Sequence, residues 1–186
     1  MVDCGHGLNN SFPGKVDPGA TWGPYNEHEV VSSIAQGITH AWQYNDEIAA
    51  LRLPELSRSQ VAAFANGIYE PGDLFLSLHL NSSSNPKATG TEVVIARTAP
   101  PARFKQAEAF GQGVAKVLRI PWRRVLFDDE TPAGKANGLT VLRQTKMPAM
   151  LLEVGFLSNG KDREAIFARG LCAVCEGLRA LKAFNG

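Results

Sequence analysis

The chain has 186 residues, 44% hydrophobic and 20% charged, the size and make-up of one globular domain with a core of its own. Nineteen Lys+Arg against eighteen Asp+Glu leave a net charge of +1, which argues against a protein held on nucleic acid by phosphate charge. No apolar run approaches the roughly 18 residues of a membrane span, and three cysteines do not make the even framework of a small disulfide-stapled domain.

No signal peptide is read ahead of Asp3, so a trimmed mature form or another export route is expected. A very short first strand leads into Asp3-Cys4-Gly5-His6-Gly7, a glycine-flanked turn. Residues 7–25 are rich in Gly, Pro and Asn and read as a long loop. From Glu27 the period becomes helical, with Val30, Val31, Ile34, Ile38 and Trp42 spaced by three and four. Residues 58–67 predict a short helix ended by Gly67. The dense apolar run 74–80, bounded by Pro71-Gly72 and Asn81, predicts a strand buried on both faces.

Residues 91–96 predict another strand, and a helix carrying Phe104, Ala107, Phe110, Val114, Val117 and Leu118 follows Pro100-Pro101. The segment 121–137, including Arg123 and Arg124, reads as a charged surface loop. Residues 139–143 and 149–154 predict strands separated by Pro148. A last helix runs from about Asp162 to Phe184, with Phe167, Leu171, Val174, Leu178 and Leu181 as its core stripe. Cys172 and Cys175 fall inside it and read as two semi-buried thiols, since a zinc ribbon needs a second such pair. Strands alternating with helices predict an α/β fold: a single domain with a mostly parallel (mixed) twisted sheet and helices on both faces.

Sites in such sheets form beyond the carboxyl ends of the strands. His6 follows the first strand, His79 ends the run 74–80, and Glu153 ends the run 149–154. A buried carboxylate amid aliphatics is costly without a partner or a metal; Arg143 is one available partner for Glu153. Glu27 opens the first helix four residues before Val31 and seven before Ile34, so it shares their buried face. Glu29 shares a polar face with Ser33 and Gln36, and His28 lies on the flank as a solvated or rim residue. His6, Glu27 and His79 together make two imidazoles and one carboxylate, the usual make-up of a catalytic zinc site with an open fourth position. Glu153 is then left free as a general base.

The same residues resemble the zinc-dependent N-acetylmuramoyl-L-alanine amidases, a family of cell-separation and sporulation amidases and phage endolysins. The likeness runs through Asp3-Cys4-Gly5-His6-Gly7, Asp17-Pro18-Gly19-Ala20, Glu27, Ser77-Leu78-His79-Leu80-Asn81, and Pro148-Ala149-Met150-Leu151-Leu152-Glu153-Val154-Gly155-Phe156. It departs from the family at Cys4, where Pro or Ala is common, and between Trp42 and Arg58, which lacks a T-R-x-x-D pattern. The resemblance implies zinc ligands at His6, Glu27 and His79, with Glu153 as the catalytic carboxylate. It implies a zinc-dependent hydrolase of the amide joining N-acetylmuramic acid to the L-alanine of the stem peptide. Its partner would be peptidoglycan at the bacterial cell wall, with no nucleic acid and no membrane span. The whole chain, 1–186, is expected to be a monomeric catalytic domain with an open groove, without a separate wall-binding domain or an inhibitory helix. Two rival readings remain: a decayed peptidoglycan-binding module, and a zinc carboxypeptidase on free peptides with Arg143 holding the terminal carboxylate.

Overall fold

In the computed structural model, which describes residues 1–8, 15–42, 56–135 and 137–185, the two most apolar segments lie side by side. They form β6 (Phe75–Asn81) and β9 (Ala149–Phe156), parallel to one another. β1 (Val2–Cys4) pairs parallel with the outer side of β6. Beyond β9 lie β7 (Thr91–Ile95), antiparallel to it, and then β8 (Trp122–Phe127), parallel to β7. The sheet order is β1-β6-β9-β7-β8. This is the mixed, mostly parallel sheet expected.

Both faces are covered, because the inner strands are apolar at successive residues. Leu76, Leu78, Met150, Leu152, Val93 and Ile95 face α1 (Glu27–Trp42), α3 (Pro101–Leu118) and α5 (Gly160–Asn185) in the larger core. Phe75, Leu151 and Val94 face α2 (Arg58–Gly67) and α4 (Thr140–Gln144) in a smaller one. With a period of two, the rows of Phe75, Leu151 and Val94 continue into His79, Glu153 and Glu92. The smaller core therefore gives way to polar residues at one end of the sheet.

Five expectations are corrected. Residues 139–143 are not a strand; they lie in Leu139 and the short helix α4. A five-residue apolar run has no intrinsic choice between the two states, and here Val141 and Leu142 are buried in the smaller core. The segment 121–137 is not all loop, because its first part is the edge strand β8; a register shift between Thr91 and Glu92 breaks the alternation that would have marked it. On α5 the expected stripe holds at Val174 and Leu181, which are buried, and at Leu171 and Leu178, which pack against the core, but Phe167 is 48% exposed and packs on the Tyr25 ring. Cys175 is buried and Cys172 exposed. Within residues 7–25, short ladders form: β2 (Gly7–Leu8) with β3 (Val16–Asp17), and β4 (Thr21–Trp22) with β5 (Tyr25–Asn26). The interval read without a T-R-x-x-D pattern falls mostly on 43–55, outside the described residues.

Asp128 ties the end of β8 to α4. Its carboxylate is fully buried and accepts from Arg97 N, Leu139 N and both Nε and Nη2 of Arg143. Burial pushes its pKa up, but Arg143 and the backbone donors outweigh burial and hold it below the usual carboxylate value. Because the folded pKa is depressed, its stabilisation is present above about pH 4 and is lost as pH falls through the folded value. Asp128→Ala strands several buried donors and is expected to cost about 2–3 kcal/mol at pH 7. Denaturant melts of both proteins should show that deficit shrinking below about pH 4; an equal deficit at both ends of the range would contradict the assignment.

Candidate metal centre and its carboxylates

His6, Glu27 and His79 converge at the end of the sheet. One ligand atom from each lies within 4.8 Å of the others. Glu27 is at the middle and is 3% exposed. Its Oε2 accepts from Ala20 N at 2.8 Å and lies 3.2 Å from His6 Nε2, while Oε1 accepts from Leu80 N and lies 2.9 Å from His79 Nδ1. Two glycines make room. A Cβ at Gly5 would lie 2.4 Å from Cε1 of His79. Gly19, at φ +66°, would place a Cβ 2.5 Å from both Glu27 Oε2 and His6 Cδ2. His6 itself has φ 67°, a left-handed conformation that non-glycine residues adopt rarely and mostly where function holds them.

The electrostatics ask for positive charge. Burial pulls the His6 imidazole down, yet Glu27 and Asp17 overcome it and raise its pKa to about 9. His79 is likewise raised against burial, by its bond to Glu27 and the charge of Glu153, although His6 repels it. Burial pushes Glu27 up, and the two imidazoles outweigh burial and hold it well below the usual range. A buried carboxylate thus draws two neighbouring, mutually repelling rings towards protonation. One divalent cation on the same nitrogen and oxygen atoms would supply that charge without the repulsion. A donor set of two imidazole nitrogens and one carboxylate suits zinc.

Glu153 stands beside the cluster, its Cα in register with His79. Its Oε2 is withdrawn from solvent and has no hydrogen-bond partner among the described residues. Burial raises its pKa to about 7, with the charges of Glu27 and Glu92 adding and those of His79 and His6 opposing. Arg143 is not its partner, since it is committed to Asp128.

The structure therefore brings together all four residues singled out from the sequence. It corrects the reading of His28, which is 8% exposed, with Nδ1 3.1 Å from the Gly5 carbonyl oxygen. Helical phase placed it on a flank, but the turn at Gly5 folds back over that flank.

Three supporting residues were not assigned roles from the sequence. Asp17 Oδ2 lies 3.0 Å from His6 Nδ1 while Oδ1 accepts from Gly19 N. With the proton on Nδ1 bonded to Asp17, Nε2 is left to face the cluster. Asp3 is buried and accepts from Ser77 Oγ at 2.7 Å, directly across the β1–β6 pairing. Glu92, 4% exposed, pairs with Glu153 across β7 and β9. A carboxylate inside Thr91-Glu92-Val93-Val94-Ile95 carries the same signal that marked Glu153, and it was read simply as part of a strand.

A family model described as N-acetylmuramoyl-L-alanine amidase matches residues 1–169. The chain is 28% identical over 169 residues to the N-acetylmuramoyl-L-alanine amidase LytC of Bacillus subtilis, covering 87% of this chain and 30% of that protein. It is 32% identical over 114 residues to the probable cell wall amidase LytH of Staphylococcus saprophyticus, covering 59% of this chain and 35% of that protein. The chain thus spans about a third of the length of these relatives. Its fold matches the crystal structure of an N-acetylmuramoyl-L-alanine amidase from Clostridium difficile 630, with a TM-score of 0.79 at 22% identity over 98% of this chain and 94% of that one.

Proposed function

The chain belongs to the N-acetylmuramoyl-L-alanine amidase family, and from that premise we propose that it is a zinc-dependent peptidoglycan hydrolase acting at the bacterial cell wall. The bond cut would be the amide between N-acetylmuramic acid and the L-alanine of the stem peptide. The observation that carries this reading is the convergence of His6, Glu27 and His79 beside the unpartnered oxygen of Glu153. His6, Glu27 and His79 would hold the metal, and Asp17 and Ala20 N would orient two of these ligands. Zinc there supplies a Lewis acid that polarises the scissile carbonyl and acidifies water.

Glu153 moves the proton. Its free Oε2 accepts a proton from the attacking water and returns it to the leaving amine nitrogen of L-alanine. The new C–O bond forms first and the C–N bond breaks as its nitrogen takes the proton, so a lactyl carboxylate and a free alanine amino group result. Leu80 N and Ala20 N hold the Glu27 carboxylate in one orientation.

Asp17 acts at one remove, and Asp17→Ala is expected to weaken zinc binding about 10–100-fold. Competition with a chromophoric chelator measures this directly, and unchanged affinity would remove Asp17 from the site. The reading as a whole is tested by offering purified muropeptides and plain peptides of the same sequence. Free N-terminal alanine is expected from the muropeptides alone. Trimming of plain peptides from the carboxyl end would indicate a peptidase, and zinc binding without any cleavage would indicate a binding module.

A further inference from the structure

We propose that Arg123 and Arg124 form a carboxylate-binding subsite that holds the acidic stem peptide of the substrate. This rests on the amidase reading above and concerns what selects the peptide side of the bond.

Successive residues of a strand normally point to opposite faces. At β8 the register shifts: Thr91 pairs with Trp122 and Glu92 with Arg124, which leaves Arg123 as an extra residue. Such a bulge re-aims side chains. As a result both arginines reach one atom, with Arg123 Nε at 2.8 Å and Arg124 Nε at 3.0 Å from Oε1 of Glu92. The other oxygen of Glu92 accepts from Asn81 Nδ2 at 2.9 Å, across β9. Both oxygens of Glu92 are therefore engaged, and it serves as an anchor.

One guanidinium would neutralise that buried carboxylate. The second leaves a surplus positive charge, and it stands in the open: the side chains of Arg123 and Arg124 are 34% and 56% exposed. Each arginine bonds Glu92 through Nε, and no terminal nitrogen hydrogen-bonds that carboxylate. Arg123 Nη1 donates to Thr89 O, and its guanidinium lies 5.2 Å from the Phe156 ring centroid, back over the end of β9. Among the described residues, the terminal nitrogens of Arg124 have no partner. This is a fork pre-set for a carboxylate.

Its distance from the chemistry fits a peptide. Glu92 lies across from Glu153 on the next strand, and Arg124 is one strand further on. At about 4.8 Å per strand, the arginine backbone stands roughly 10 Å from Glu153, and both guanidinium groups reach back to Glu92, one strand from Glu153, a span of about two residues of extended chain. Beyond its L-alanine, the stem peptide carries a glutamate joined through its side chain, whose main-chain carboxylate is free in some walls and amidated in others. A peptide leaving Glu153 along the sheet end would bring that group to the arginines.

The test is steady-state kinetics on two muropeptides that differ only in whether this carboxylate is free or amidated. Wild type is expected to have a KM about tenfold lower for the free acid. Arg124→Gln should erase that preference by raising KM for the free acid alone, and Arg124→Lys should restore part of it. Equal KM values in wild type, or an equal loss on both substrates in Arg124→Gln, would overturn the subsite alone. A wild type that cuts neither muropeptide would overturn the amidase reading and the subsite together.

Discussion

Glu153→Gln is expected to bind zinc as wild type does and to cleave muropeptides about 10³–10⁴-fold more slowly. The substitution keeps the shape of the side chain and removes its capacity to take a proton. Glu153 touches the cluster by field rather than by ligation: it lies in register with His79, and the cluster identified by its converging ligand atoms consists of His6, Glu27 and His79. Metal content should therefore survive. Its unpartnered Oε2 also means that the amide breaks no hydrogen bond in the resting fold, so the melting temperature should hold or rise. Single-turnover cleavage with parallel metal analysis reads both quantities. Near-wild-type turnover would show that another group moves the proton.

The second large effect concerns Glu27. Glu27→Gln should lower zinc affinity at least about a hundredfold and bring hydrolysis to background at limiting zinc. The carboxylate is the only anionic member of the three, and its charge raises the pKa of both imidazoles. An amide of the same size can accept from only one of Ala20 N and Leu80 N, and its NH2 faces the other. Glu29→Gln, two residues on and on the exposed face, is the control and should change neither metal content nor rate. Competition titrations on both variants make the comparison; equal zinc affinity in Glu27→Gln and wild type would take Glu27 out of the ligand set.

Much of this site was legible because its residues break local rules. A histidine and a glutamate inside aliphatic strands, and a glutamate on the buried face of an amphipathic helix, are costly without a shared purpose. The inner strands and long helices were equally legible from continuous apolar runs and a clean 3.6-residue period. What was missed lacked such a signal. α4 is five residues long, and its state is decided by contacts with α2 and Asp128 that no local pattern records. β8 was hidden by its bulge, which sets two arginines together and erases alternation. His28 is buried by a turn at Gly5, 23 residues away in sequence. Phe167 shares the spacing of the α5 stripe yet is its one exposed member, packed on the Tyr25 ring instead of the core.

The central claim is that His6, Glu27 and His79 form one metal centre facing Glu153. Anomalous diffraction at the zinc edge, from crystals of the zinc-loaded protein, tests it most directly. One peak is predicted, in contact with all three side chains and with Glu153 beside it. No peak there, or a peak held by other residues such as His28 or Cys172, would contradict the account.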